Sequence, residues 1–208
     1  LTTEEKIRLF AEIKEAIGER GSVVAGTGNY NTAESIELSR EAEKVGADAL
    51  LLTVPYYNKP PQEGMYQHFK AIAGSVSLPC MLYNVPSRTS INMTSETTLR
   101  LSQVDNIVGV KEASSDLDQI QRIIGGAPDG FRVWSGNDNE TFYMMSMGGY
   151  GVVSVVSHLV GQQIKQMMGL ILEGDIEKAA AEHHRLMPIF KMMFVMSNPI
   201  PVKYSVNQ

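Results

Sequence analysis

The sequence predicts an α/β fold of parallel strands. Two observations carry this: short apolar runs of strand length alternate with segments of helical periodicity, and the alternation persists nearly end to end without a linker-like stretch. The units recur about every 25 to 30 residues, the length of a strand with its crossover helix. With 208 residues, 43% of them apolar and 20% charged, the chain can bury a substantial core as one globular domain.

Thr2-Thr3-Glu4-Glu5 matches a capping box, and Ile7, Phe10, Ile13 and Ile17 place an apolar stripe on the helix it opens. No strand precedes this helix. The strands are expected at Ser22 to Ala25, Ala49 to Val54, Cys80 to Asn84, Ile107 to Lys111, Arg132 to Ser135 and Val152 to Val156, each apolar enough to be covered on both faces. Between them helical patterns run from Thr32 to Val45, stopped by Gly46, and from Gln62 to Ala73. Shorter ones span Ser95 to Leu101, Leu117 to Ile124 and Glu140 to Met147. After the last strand the chain turns helical through Val160 to Glu173 and Asp175 to about Phe194, until Asn198-Pro199-Ile200-Pro201 halts it. Six strands behind a leading helix fit either an incomplete eight-stranded barrel or a doubly wound sheet, and the rhythm alone leaves both open.

Several function classes drop out early. The formal charge is −5 and no basic run appears, so nothing supplies the phosphate neutralisation that nucleic-acid binding needs. No apolar stretch approaches the roughly 20 residues of a membrane span, and Leu1-Thr2-Thr3-Glu4-Glu5-Lys6 lacks the parts of a secretory signal. The single cysteine, Cys80, lies in the apolar stretch Leu78-Pro79-Cys80-Met81-Leu82 and reads as a buried structural thiol. A soluble, cytoplasmic protein is the expectation. His68, His158, His183 and His184 show no i, i+4 pair that could share a metal, so metal-independent chemistry is expected. Gly26-Thr27-Gly28 and Gly148-Gly149-Tyr150-Gly151 match no nucleotide fingerprint and read as tight turns.

In an α/β fold the reactive groups collect past the C-terminal ends of the strands. The fourth strand ends Ile107-Val108-Gly109-Val110-Lys111-Glu112, driving a lysine straight off an apolar run. Burial there would favour the neutral amine, which can attack a ketone to form a Schiff base. The third strand leads through Tyr83 into Asn84-Val85-Pro86-Ser87-Arg88-Thr89, offering a phenol that can carry a proton and a guanidinium whose fork suits a carboxylate. The second ends in the proline-bracketed turn Pro55-Tyr56-Tyr57-Asn58-Lys59-Pro60. Each has a plainer reading when taken alone: Lys111 as an exit to water paired with Glu112, Tyr83 as a core aromatic, Arg88 as a surface charge, and the two tyrosines as an interface patch.

Tyr83-Asn84-Val85-Pro86-Ser87-Arg88-Thr89, Val110-Lys111-Glu112-Ala113-Ser114 and Pro55-Tyr56-Tyr57-Asn58-Lys59-Pro60 together resemble the dihydrodipicolinate synthase family, pyruvate-dependent class I aldolases related to N-acetylneuraminate lyase. The resemblance extends through Gly26-Thr27-Gly28, Ser135-Gly136-Asn137-Asp138 and Asn198-Pro199-Ile200-Pro201, and so covers essentially the whole chain. It implies a (β/α)8 TIM barrel, of which about six strands are present, followed by C-terminal helices. Residues 1–158 would hold barrel strands three to eight, and residues 159–208 the last barrel helix and the start of a C-terminal helical region.

The implied activity is a lyase of lysine and diaminopimelate biosynthesis, in which pyruvate forms a Schiff base on Lys111 and the enamine attacks L-aspartate 4-semialdehyde. No cofactor beyond that covalent adduct, and no metal, is implied. Tyr83 would be the proton relay, Tyr57 would reach into a neighbouring subunit's site in a homotetramer built as a dimer of dimers, and Arg88 would bind the semialdehyde carboxylate. Gly136 and the main-chain carbonyl of Val153 would line the pocket near pyruvate. A threonine pair that completes the relay in the family would lie upstream of Leu1, with two further strands, and more helix would follow Gln208. The chain would then be an incomplete stretch that folds poorly by itself, with unpaired sheet edges. Glu34, Tyr56 and Tyr30 fall on positions of a regulatory lysine site, where Tyr30 stands in place of a compact amide and implies weak or absent lysine inhibition. Two other readings are an N-acetylneuraminate lyase or 2-keto-3-deoxy sugar acid aldolase on the same scaffold, disfavoured by Arg88, and a non-catalytic assembly subunit.

Overall fold

The computed structural model describes all of residues 1–208. It divides into two compact units, Leu1–Arg132 and Val133–Gln208. No helix is long and apolar enough to cross a membrane.

The first unit opens with α1 (Thr3–Ile17), whose capping box is formed: the Thr2 hydroxyl accepts from the Glu5 N–H at 3.2 Å and the Glu5 carboxylate from the Thr2 N–H at 2.7 Å. Then follow β1 (Val24–Gly26), α2 (Thr32–Lys44), β2 (Ala49–Thr53), α3 (Gln62–Ala73), β3 (Cys80–Asn84), α4 (Pro86–Thr89), α5 (Ser95–Leu101), β4 (Ile107–Glu112) and α6 (Leu117–Gly126). The four strands pair in chain order and all in parallel. Leu50 and Leu52 alternate with half-open neighbours along β2 and are fully buried, as are Met65, Phe69 and Ile72 of α3. Burying a side chain of this size contributes about 1.5–3 kcal/mol.

β1 starts two residues later than the apolar run suggests, because the Val23 N–H is taken by the Asp48 carboxylate at 2.7 Å, which Lys14 of α1 also grips at 2.6 Å. Past β1 the backbone presses against β2. A Cβ on Gly28 would lie 2.1 Å from the Thr53 nitrogen, so only glycine fits. The Glu112 carboxylate, which the plainer reading of Lys111 would have as its partner, is fully buried and held by Asn84, Ser114 and Gln119.

The boundary falls after the first residue of β5 (Arg132–Ser135); α7 (Thr141–Ser146), β6 (Gly151–Val152), α8 (Ser157–Leu172), α9 (Ile176–Met192) and α10 (Ile200–Val206) follow in the second unit. β5 and β6 pair in parallel. Its core joins Val156, Ile164, Met167, Leu186, Phe190 and Val202, with His183 buried and stacked on Phe142.

Three expectations need correction here. β6 is two residues long instead of running from Val152 to Val156, because the Asp138 carboxylate accepts from the Val155 and Val156 N–H groups at 3.2 and 3.3 Å and from the Ser154 hydroxyl, turning the chain out of the ladder. Helix α8 begins at Ser157 but breaks at Val160 (φ −129°, ψ 37°), so the expected start coincides with the break. The prolines after Asn198 do not end helical structure; Pro199 and Pro201 sit at the N-cap and the second position of α10, where their missing N–H groups are not needed.

Candidate active site

The site is built by the C-terminal ends of β2, β3 and β4. Register places Thr53 opposite Tyr83 and Tyr83 opposite Lys111, so these three side chains stand in a row on one face. The Lys111 Nζ lies over the Tyr83 ring, 4.0 Å from its centroid, and both residues are half-buried. Lys111 and Tyr83 are therefore brought together.

This rung depends on an irregularity. Cys80 pairs with Ile107, but Met81 pairs with Gly109, leaving Val108 as an extra residue in β4. Without that bulge the register would set Tyr83 against Val110 and put Lys111 on the opposite face.

Burial pushes the Tyr83 phenol above its ordinary value, and the Arg88 guanidinium pulls it back in part. The phenol is accordingly protonated at neutral pH and can donate. Arg88 lies on α4, a single turn where a loop is expected from sequence. Pro86 presets φ at the first helical position, and the Arg88 and Thr89 N–H groups both reach the Val85 carbonyl, at 2.9 and 3.1 Å. Ser90 ends the turn in the left-handed region (φ 59°). The Arg88 side chain is exposed and, with Tyr56, Tyr57, Lys59, Thr89 and Ser90, lines a groove of about 480 Å³.

Tyr57 takes φ 69°, an uncommon conformation for a bulky residue, and its side chain is 88% exposed. Tyr56 turns back instead, its ring edge-on to Tyr30 at 5.2 Å between centroids, and burial together with nearby Tyr30 and Glu34 raises its phenol pKa. The Glu34 carboxylate accepts from Asn29 Nδ2 at 2.8 Å and Asn31 Nδ2 at 3.0 Å. Glu34, Tyr56 and Tyr30 thus form one exposed cluster.

In the second unit Gly136 follows β5, and the Val153 N–H donates to the Ser135 carbonyl at 2.9 Å, which brings those two expected pocket positions to the same strand ends. Asp138, buried beneath them, is a structural anchor that the sequence reading noted only as part of a glycine turn. His68 is also structural: buried against Phe69 and bonded to the Thr32 hydroxyl at 2.8 Å, it has its pKa lowered by burial to about 4. Burial pushes the Cys80 thiol up to about 12, which leaves it inert as a nucleophile.

The site's elements match a known pattern over their full length. The model of the dihydrodipicolinate synthetase family matches residues 1–208. The 4-hydroxy-tetrahydrodipicolinate synthase of Dehalococcoides mccartyi is 56% identical over 207 residues, covering 100% of this chain and 70% of that protein. That of Moorella thermoacetica is 56% identical over 203 residues, 98% of this chain and 70% of the relative. Among solved structures, the lysine-bound dihydrodipicolinate synthase of Cyanidioschyzon merolae superposes with a TM-score of 0.98 at 44% identity, covering 100% of this chain and 71% of that one. The fold is accordingly a partial (β/α)8 barrel with C-terminal helices, not a doubly wound sheet. On sequence and structure alike, the chain belongs to the dihydrodipicolinate synthetase family.

Proposed function

We propose that this chain carries the centre that condenses pyruvate with L-aspartate 4-semialdehyde, the activity of a 4-hydroxy-tetrahydrodipicolinate synthase. The observation that carries the reading is the Lys111 amine set 4.0 Å over the Tyr83 ring at the ends of paired strands. Lys111 attacks the keto carbon of pyruvate, water leaves to give an iminium, and a methyl proton is then lost to solvent water while the C–H bond pair moves toward the iminium nitrogen, giving the enamine. The aromatic face beneath that nitrogen favours the cationic iminium. The enamine carbon then bonds to the aldehyde carbon of the second substrate, and Tyr83 delivers the proton its oxygen needs. No resident cofactor takes part, because the electron sink is the adduct itself.

Arg88 pairs with the semialdehyde carboxylate, a role supported by its exposed position at the groove beside Tyr57. Tyr57 completes the site of a second copy, which its 88% exposure on a left-handed backbone supports, so the working form is a homo-oligomer. In the full-length protein, turnover of pyruvate with L-aspartate 4-semialdehyde is expected, and none with N-acetylneuraminate or a 2-keto-3-deoxy sugar acid. Arg88→Ala should raise KM for the semialdehyde about 10- to 100-fold, the loss of a charge-assisted hydrogen-bonded pair, and leave KM for pyruvate unchanged. Preference for the sugar acids, or an unaltered semialdehyde KM, would reject this assignment.

The same cluster that could hold a regulatory lysine is internally occupied: Asn29 and Asn31 already donate to Glu34, and Tyr30 packs against Tyr56. Initial rates are therefore expected to change less than about two-fold in millimolar lysine, since an incoming ammonium must displace satisfied hydrogen bonds. Strong inhibition at that concentration would contradict this.

A further inference from the structure

Behind Tyr83 and Lys111 the same strand ends carry a second constellation. Asn84 pairs with Glu112 one rung beyond, and alternation turns their side chains to the opposite face, where both are fully buried. Asn84 Nδ2 donates to both oxygens of the Glu112 carboxylate, at 3.0 and 3.2 Å. The Ser114 N–H donates to Oε1 at 2.9 Å and Gln119 Nε2 of α6 to Oε2 at 3.3 Å. Asn84 cannot be turned round, because its Oδ1 accepts the Met93 backbone N–H at 3.0 Å. Asn92 closes the ring: its Oδ1 accepts from Asn84 at 2.7 Å and its Nδ2 donates to the Gln119 Oε1 at 2.8 Å.

Every donor to Glu112 is neutral. Burial pushes its carboxyl above the usual carboxylate range, while the hydrogen bonds from Asn84, Ser114 and Gln119 pull it back. A buried carboxylate satisfied only by amides costs more than an apolar pair of the same volume, which would join two strands equally well. What the polar pair adds is direction, because each hydrogen bond fixes one strand end against the other at a set distance and angle.

We infer that Asn84 and Glu112 are positioning residues: by locking the ends of β3 and β4 on one face, they hold the Tyr83 phenol and the Lys111 amine in reacting alignment on the other. The inference rests on the assignment of those two as the reacting pair. Asn84 and Glu112 are fully buried on the face opposite Tyr83 and Lys111, so they act through those two rather than on the substrate.

The test is Glu112→Gln in the full-length protein, which keeps the shape and turns one acceptor into a donor facing the N–H groups of Asn84 and Gln119. Misalignment of this kind is expected to lower kcat by about 10²-fold, and the rate of borohydride-trappable adduct formation with it. KM for pyruvate should stay close to that of the unsubstituted protein, and the melting temperature should fall by several degrees with the variant still folded at the assay temperature, because one buried donor then faces other donors. Asn84→Asp combined with Glu112→Gln exchanges donor and acceptor across the pair and should recover part of the lost kcat. If Glu112→Gln does not fold, Gln119→Ala, which removes one donor from the carboxylate, is read in the same way. A folded variant with undiminished kcat, or one whose loss lies in KM, overturns the inference. Failure of the unsubstituted protein to label at Lys111 would instead reject the assignment of the nucleophile beneath it.

Discussion

Lys111→Ala is expected to reduce turnover to background, and Lys111→Arg to do the same. Removing the nucleophile of a covalent mechanism has cost on the order of 10⁶ in turnover where the groups act as a unit. The arginine variant is the sharper of the two. It places a cation of similar length over the Tyr83 ring, but a guanidinium stays protonated at any working pH and has no lone pair with which to attack a ketone. If the lysine served only as a charge for a substrate carboxylate, arginine would substitute for it with modest loss. Both substitutions fall at a half-buried strand end outside the packed core, so the melting temperature should move by only a few degrees. Steady-state rates together with a thermal melt separate lost chemistry from lost folding.

Tyr83→Phe is expected to leave adduct formation measurable and to cut turnover by about 10²–10⁴-fold, the range that positioned proton transfer commonly contributes. The substitution keeps the ring beneath the lysine nitrogen and deletes only the hydroxyl, so the geometry of attack survives. The pH dependence carries a second sign. Burial raises the folded-state pKa of the phenol above its ordinary value near 10, so the protonated donor persists through that range. The alkaline limb of kcat attributable to Tyr83 should accordingly lie above the usual tyrosine range and vanish in Tyr83→Phe. A fully active phenylalanine variant would remove Tyr83 from the relay.

Much of this architecture is legible in the sequence because it is decided locally. Helix α3 and strands β3 and β5 fall at the bounds that the apolar periodicity suggests, where turn residues or glycine stop each run. Strand β6 is not, since its length is set by the Asp138 carboxylate reaching across from an earlier loop to claim the Val155 and Val156 N–H groups. Nor was α10, because prolines that read as a stop occupy the opening positions of a new helix.

The site divides in the same way. A lysine ending an apolar run, a tyrosine ending another and an arginine after a proline could be picked out along the chain. The bulge at Val108 that puts Lys111 on the Tyr83 rung could not, because register is a property of two strands together. The polar ring behind them was equally hidden. Glu112 beside Lys111 reads as half of a surface ion pair, and only its cross-strand partner Asn84 and Gln119 from α6 reveal it as a buried anchor.

The central claim is that the Lys111 amine is the group to which pyruvate becomes covalently bound. Incubating the full-length protein with pyruvate, reducing with borohydride and mapping the digest by mass spectrometry tests it directly. The expected result is a single pyruvate-derived mass increment on the peptide containing Lys111, absent from Lys111→Ala. An increment on a different lysine, labelling that survives the substitution, or no trapped adduct at all would contradict it.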